Sequence, residues 1–66
     1  MKFTAKYAAS GNGGCPTVYL TDRGTAVVQG QGLTDQAQAA LDDVLTGELA
    51  VEVPIDLLKN AVQKLM

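Results

Sequence analysis

The side chains equipped for chemistry are few. Cys15 is the one thiol and the sequence holds no histidine, so a sulfur nucleophile would lack the imidazole that usually takes its proton. Cys15 is followed by Pro16 and reads as a small apolar side chain or an inert thiol. A lone cysteine closes no internal disulfide, and without histidine no Cys/His zinc site can be assembled. Two carboxylate pairs deserve weighing. Asp42 and Asp43 are adjacent, and adjacent helix positions point about 100° apart, so the two do not converge on one substrate. Glu48 and Glu52 share one face of an expected strand but sit four residues apart, too widely spaced to share a proton or chelate a metal alone. The Ser10-Gly-Asn-Gly-Gly14 loop has glycines but no Lys-Ser/Thr ending, no preceding buried parallel strand and no following helix, which a phosphate-cradling loop needs. No catalytic, cofactor-binding or metal-ligating residue emerges, and the chain is expected to be a non-enzyme that works without a cofactor.

The elements around these residues are legible from periodicity. The segment Cys15 to Gly30 carries two β-type runs folded about Asp22-Arg23-Gly24, with Gly24 able to take a positive φ at the turn. On its first arm, Val18 and Leu20 share one face and Thr17, Tyr19 and Thr21 the other; Pro16, lacking an amide donor, suits the start of that arm. The returning arm, with Ala26, Val27 and Val28 in succession, is apolar on both faces and reads as a central strand. Ahead of the hairpin, Phe3, Ala5 and Tyr7 alternate with Lys2, Thr4 and Lys6, the pattern of an edge strand with lysines on its wet face. After it, Thr34 or Asp35 caps a helix whose stripe of Ala37, Ala40, Leu41, Val44 and Leu45 is expected to face the sheet, with Gly47 as its stop. Asp42 and Asp43 then fall in the last turn, where the helix dipole disfavours them. Leu49, Val51 and Val53 alternate with Glu48, Ala50 and Glu52 as a half-buried strand expected to join the sheet. Pro54 opens a final helix with a stripe of Ile55, Leu58, Val62 and Leu65, widened by Leu57 and Ala61.

These elements predict one α+β domain over residues 1–66: a small, mainly antiparallel sheet of three to four strands with two helices packed on one side. The strands are expected near 2–8, 16–22, 25–30 and 48–53 and the helices near 35–46 and 55–65. A chain of 66 residues buries only about 60% of the surface its unfolded form exposes. Folds this small are usually reinforced by disulfides, a metal or association, and the first two are excluded here. The composition is 47% hydrophobic with 18% charged residues, globular rather than disordered. The formal charge of −2 and the lack of a Lys/Arg cluster argue against a phosphate-binding surface. No membrane span and no apolar secretory region are found in the sequence, so a cytoplasmic, non-membrane protein is expected.

Three resemblances bear on function. The block Gly14 to Gly30, together with Gly47-Glu-Leu-Ala-Val-Glu-Val-Pro54 and Leu57-Leu58, is similar to a family of short actinobacterial proteins. That resemblance implies genes that accompany helix-turn-helix regulators, and hence a regulatory accessory role. The layout of Ser/Gly/Asn loop, cysteine, two strands and last strand also resembles the BldB-like small proteins of developmental regulator clusters in Streptomyces. Finally, Val51-Glu-Val-Pro54 followed by Ile55-Asp-Leu-Leu58 resembles the strand-Pro-helix unit of swapped-hairpin transcription factors of the AbrB type. This last resemblance implies dimers that bind DNA through basic residues near the turn, although Asp56 stands where that family commonly has a basic residue.

Two readings follow. The first is a non-enzymatic protein-interaction module, homodimeric and accessory to a helix-turn-helix regulator, with Tyr19, Leu57, Leu58, Val62 and Leu65 as contact residues and no direct nucleic-acid binding. The second is a direct DNA-binding dimer of swapped-hairpin type using Lys2, Lys6 and Arg23.

Overall fold

Thr21 closes the hairpin. Its backbone amide donates to the Thr25 carbonyl at 3.0 Å, and its Oγ1 accepts from the amides of Arg23 (3.1 Å) and Thr25 (3.3 Å) while lying 2.7 Å from Thr25 Oγ1. Gly24 takes φ +75°, the left-handed conformation that glycine adopts without steric cost. In the computed structural model, which describes residues 1–9 and 16–66, this turn joins β2 (Thr17–Thr21) to β3 (Ala26–Gln29). The glycine-rich loop 10–14 and Cys15 lie outside the described residues.

Strand β1 (Phe3–Ala8) pairs antiparallel with β2 on the other side, giving a three-stranded sheet of order β1-β2-β3. The first strand is an edge, as the lysine pattern predicts. The returning arm is an edge too, and β2 is central. Its apolar run arises because Val28 faces the core across from Val18, while Val27 lies on the reverse face beside Tyr19. The alternation of β1 is also interrupted. Phe3 pairs with Thr21 but Ala5 pairs with Leu20, so Thr4 is an extra residue. Such a bulge flips every side chain beyond it to the opposite face. Phe3 therefore leaves the Ala5/Tyr7 face and stacks on Tyr19, with ring centroids 4.6 Å apart and planes at 28°.

Helix α2 (Ile55–Leu65) covers the other face. Pro54 takes the N-cap position with φ −60°, a value its ring enforces in advance. The core is small: Val18, Leu57 and Ala61 are buried, with Tyr7, Ala9, Val28, Val53 and Leu65 packed around them.

Between the sheet and α2 the chain makes an excursion that departs from the periodicity. Helix α1 (Asp35–Ala39) starts where expected, Thr34 Oγ1 accepting from the Ala37 amide at 3.2 Å, but it ends after five residues instead of running to 46. The amides of Ala40 and Leu41 bond to the carbonyls three residues back, at 3.1 and 3.2 Å, which tightens and closes the last turn. Continuing would have set Asp42 and Asp43 against the negative end of the helix dipole; Asp43 turns out at φ +53° instead. A five-residue helix needs tertiary packing to persist as more than one turn, and α1 buries none of its residues. The stripe of Ala37, Ala40, Leu41, Val44 and Leu45 accordingly does not face the sheet; all five are exposed.

The fourth expected strand is also shorter than 48–53 and does not join the sheet. Only Val51–Glu52 (β5) is extended and paired, and its partner is β4 (Gln31–Gly32) in a separate antiparallel ribbon, Gln31 opposite Glu52 and Gly32 opposite Val51. Glu48 lies before this ribbon and belongs to a turn: its amide donates to the Leu45 carbonyl and its Oε1 accepts from the Leu45 amide, both at 3.0 Å. Gly47, expected as a helix stop, holds φ +90° inside that turn. The architecture remains a small α+β fold of a three-stranded antiparallel sheet, a two-stranded ribbon and two helices.

Gly30 fixes the root of the excursion. A Cβ there would stand 2.5 Å from Val53 Cγ1 and 2.9 Å from the Glu52 carbonyl oxygen. Because one of the colliding atoms is backbone, the strand must shift to admit it. Gly30→Ala is expected to destabilise the fold by about 1–3 kcal/mol, read as a lowered urea midpoint with unchanged slope. A midpoint equal to that of the parent would refute this close approach.

Candidate protein-interaction site

The apolar stripe of α2 is wider than the surface that covers it. At 3.6 residues per turn, Leu57, Ala61, Leu65, Leu58, Val62, Ile55 and Met66 follow one another around an arc of about 180°. The side beginning at Leu57 and Ala61 meets β1 and β2 and is buried. The other side overhangs β3, leaving Val62 58% and Ile55 82% exposed.

An apolar groove runs under this overhang. It has a volume of about 150 Å³ and is lined by Val18, Leu20, Ala26 and Val28 from the sheet and by Leu58, Ala61, Val62, Leu65 and Met66 from α2. Every lining residue is apolar, so nothing there can orient a polar substrate or stabilise a developing charge. What such a groove accepts is another apolar side chain.

The five expected contact residues do not form one patch. Leu58, Val62 and Leu65 line the groove together. Leu57 is 2% exposed and belongs to the core of its own chain, because the helix meets the sheet on that side. Tyr19 lies on the reverse face of the sheet, where it pairs across from Lys6 and Val27, stacks on Phe3 and donates its hydroxyl proton to Gln29 Oε1 at 3.0 Å. Six groove residues were not among the expected contacts: Val18, Leu20, Ala26, Val28, Ala61 and Met66. The signal was present in the width of the α2 arc, which extends to Met66 when the stripe is followed to its end.

Charge is divided along the chain. Residues 1–32 carry Lys2, Lys6 and Arg23 against Asp22 alone, whereas residues 33–66 carry Asp35, Asp42, Asp43, Glu48, Glu52 and Asp56 against Lys59 and Lys64. Asp22 is tied to the backbone of Lys2: its Oδ1 accepts from the Lys2 amide at 3.1 Å and its own amide donates to the Lys2 carbonyl at 2.9 Å. A carboxylate next to Arg23 in the sequence and bonded to the Lys2 backbone weakens the field that would attract a phosphate backbone. Among the described residues, no group of three metal-ligating side chains is placed to hold a metal ion, and no helix is long and apolar enough to cross a membrane.

The chain matches no family model, no curated protein and no solved structure.

Proposed function

We propose that the protein is a non-enzymatic interaction module that works as a homodimer, joined through the overhanging half of α2 and the groove beneath it, and that it serves as an accessory to a helix-turn-helix regulator. The observation that carries the dimer is surplus surface. The chain exposes 5386 Å², where a compact monomer of 6.9 kDa exposes about 4,000 Å². Its radius of gyration is 13.1 Å against about 10.8 Å for a compact domain of this length. The excess of about 1,400 Å² per chain is surface that the chain does not cover by itself, set against the roughly 800 Å² that each partner contributes to a standard interface.

The accessory role is supported by the resemblance of the hairpin block and by the acidic second half of the chain, which suits a basic partner. Sedimentation equilibrium at micromolar concentration tests the dimer: a mass of twice 6.9 kDa is expected, and a folded monomer would refute it. The regulator is tested by mixing the purified protein with the helix-turn-helix protein encoded nearest to it. A complex that weakens as salt is raised from 50 to 500 mM is expected; failure to associate at low salt would remove the accessory role and leave the dimer standing.

A further inference from the structure

The groove has a counterpart on the same chain. Between the two strands of the ribbon, the excursion over residues 33–50 carries a turn at Leu45–Glu48 closed by the two hydrogen bonds described above. Gly47 at φ +90° supplies the positive φ that a type II turn requires at its third position. This turn holds Leu45 67% and Leu49 95% exposed, with Val44 and Leu41 exposed behind them. A surface loop is ordinarily polar; one that displays four large aliphatic side chains on a hydrogen-bonded turn has an apolar destination.

The root of this arm is fixed by the β4–β5 pairing and by the close approach of Gly30 to Val53. Beyond that root every residue from 34 to 49 is exposed, and α1 buries none of its side chains. On the same chain, the α2–β3 groove of about 150 Å³ is open and wholly apolar, a size that in a dry protein cavity accepts a group as large as benzene. We infer that the Leu41–Leu49 arm of one copy fills the α2–β3 groove of the other, reciprocally across a twofold axis.

This inference rests on the homodimer proposed above and names what its two halves exchange. Groove and arm on one chain are different surfaces, and a twofold operation pairs each with the other twice, so the contact closes as a dimer and leaves no unmatched apolar end to propagate. Charge agrees with the docking: the arm carries Asp42, Asp43 and Glu48, and the flank of α2 next to Ile55 and Val62 carries Lys59.

The test combines crosslinking with an arm variant, both in full-length chains bearing Cys15→Ser. Leu49→Cys chains are mixed with Val62→Cys chains of different tag mass and treated with a short bis-maleimide. A crosslinked species containing one chain of each mass is expected, and none from Leu49→Cys mixed with Lys6→Cys, whose site lies on the reverse face of the sheet. The second variant, Leu45→Asp with Leu49→Asp, touches no core residue; it is expected to keep the parental circular dichroism while weakening the dimer by about 100-fold or more. A dimer that survives this variant and yields no crosslink between Leu49→Cys and Val62→Cys chains overturns the arm exchange and leaves the homodimer intact. A folded parental monomer overturns both, and a Leu49→Cys/Val62→Cys double variant that crosslinks only within one chain shows the arm seated on its own groove, which also overturns the exchange.

Discussion

Leu57→Ala is expected to cost about 2–5 kcal/mol of stability, out of a total of about 3–10 kcal/mol for a domain of this length. The size of the effect follows from how little else is buried. Only Val18, Leu57 and Ala61 form the fully covered apolar centre, and Leu57, 2% exposed, is the side chain by which α2 is seated on the sheet. Truncation removes the contacts of the largest helical contributor and leaves a cavity that neighbouring Tyr7 and Val28, held in paired strands, are poorly placed to fill. The urea midpoint, compared at one fixed protein concentration because association would contribute to stability, should fall by about 2 M or more at the slope of a small domain. The adjacent Leu58→Ala provides the contrast: 45% exposed, it should change the stability of an isolated chain by less than about 1 kcal/mol. Equal losses at the two positions, both measured in the Val62→Asp background where the proposed dimer is disrupted, would mean that α2 is rotated relative to the sheet from the orientation described.

Val62→Asp is expected to convert the proposed dimer to a folded monomer, with affinity reduced by about 100-fold or more. In a single chain Val62 is 58% exposed, so a charge there keeps its water and costs little. In a dimer joined through the overhanging half of α2, the same carboxylate would be carried into an apolar groove with no hydrogen-bond donor among its lining side chains, where an unpaired charge costs several kcal/mol. The two variants thus separate folding from association on one helix: Leu57→Ala should reduce the helical circular dichroism signal, and Val62→Asp should retain that signal while halving the sedimenting mass. A Val62→Asp protein that remains dimeric at micromolar concentration would place the interface elsewhere.

The groove shows how the amphipathic pattern of α2 is divided between covered and uncovered residues. A stripe on α2 wider than one sheet face can cover is visible in Ile55, Leu58, Val62 and Leu65 with Leu57 and Ala61 beside them. Which of those residues turn inward is not visible, since a pattern of period 3.6 gives the apolar arc but not its rotation about the helix axis. That rotation is set by where α2 crosses the sheet, toward β1 and β2 and away from β3. Leu57 consequently goes to the core, whereas Leu58, one position further on, goes to the groove.

Local sequence determined the elements whose stabilising contacts are themselves local. The hairpin about Asp22-Arg23-Gly24 depends on a glycine with positive φ and two threonines four residues apart, and the start of α2 follows from Pro54 and the apolar period after it. The elements misjudged from the sequence are those in which two local signals compete or a distant partner decides. The apolar spacing of residues 37–45 favoured a longer helix, but Asp42 and Asp43 opposed its C-terminal end and no surface was at hand to hold it. The alternation at 48–53 predicted a strand correctly over Val51 and Glu52, but alternation carries no address, and the partner proved to be Gln31 and Gly32 rather than the main sheet. The bulge at Thr4 was likewise beyond local reading, because an extra residue is defined only by the register of the opposite strand. Composition determined that almost half of this chain is hydrophobic, 47%; tertiary packing alone divided that apolar surface between a core, a groove and an arm, because burial is a relation between segments distant in sequence.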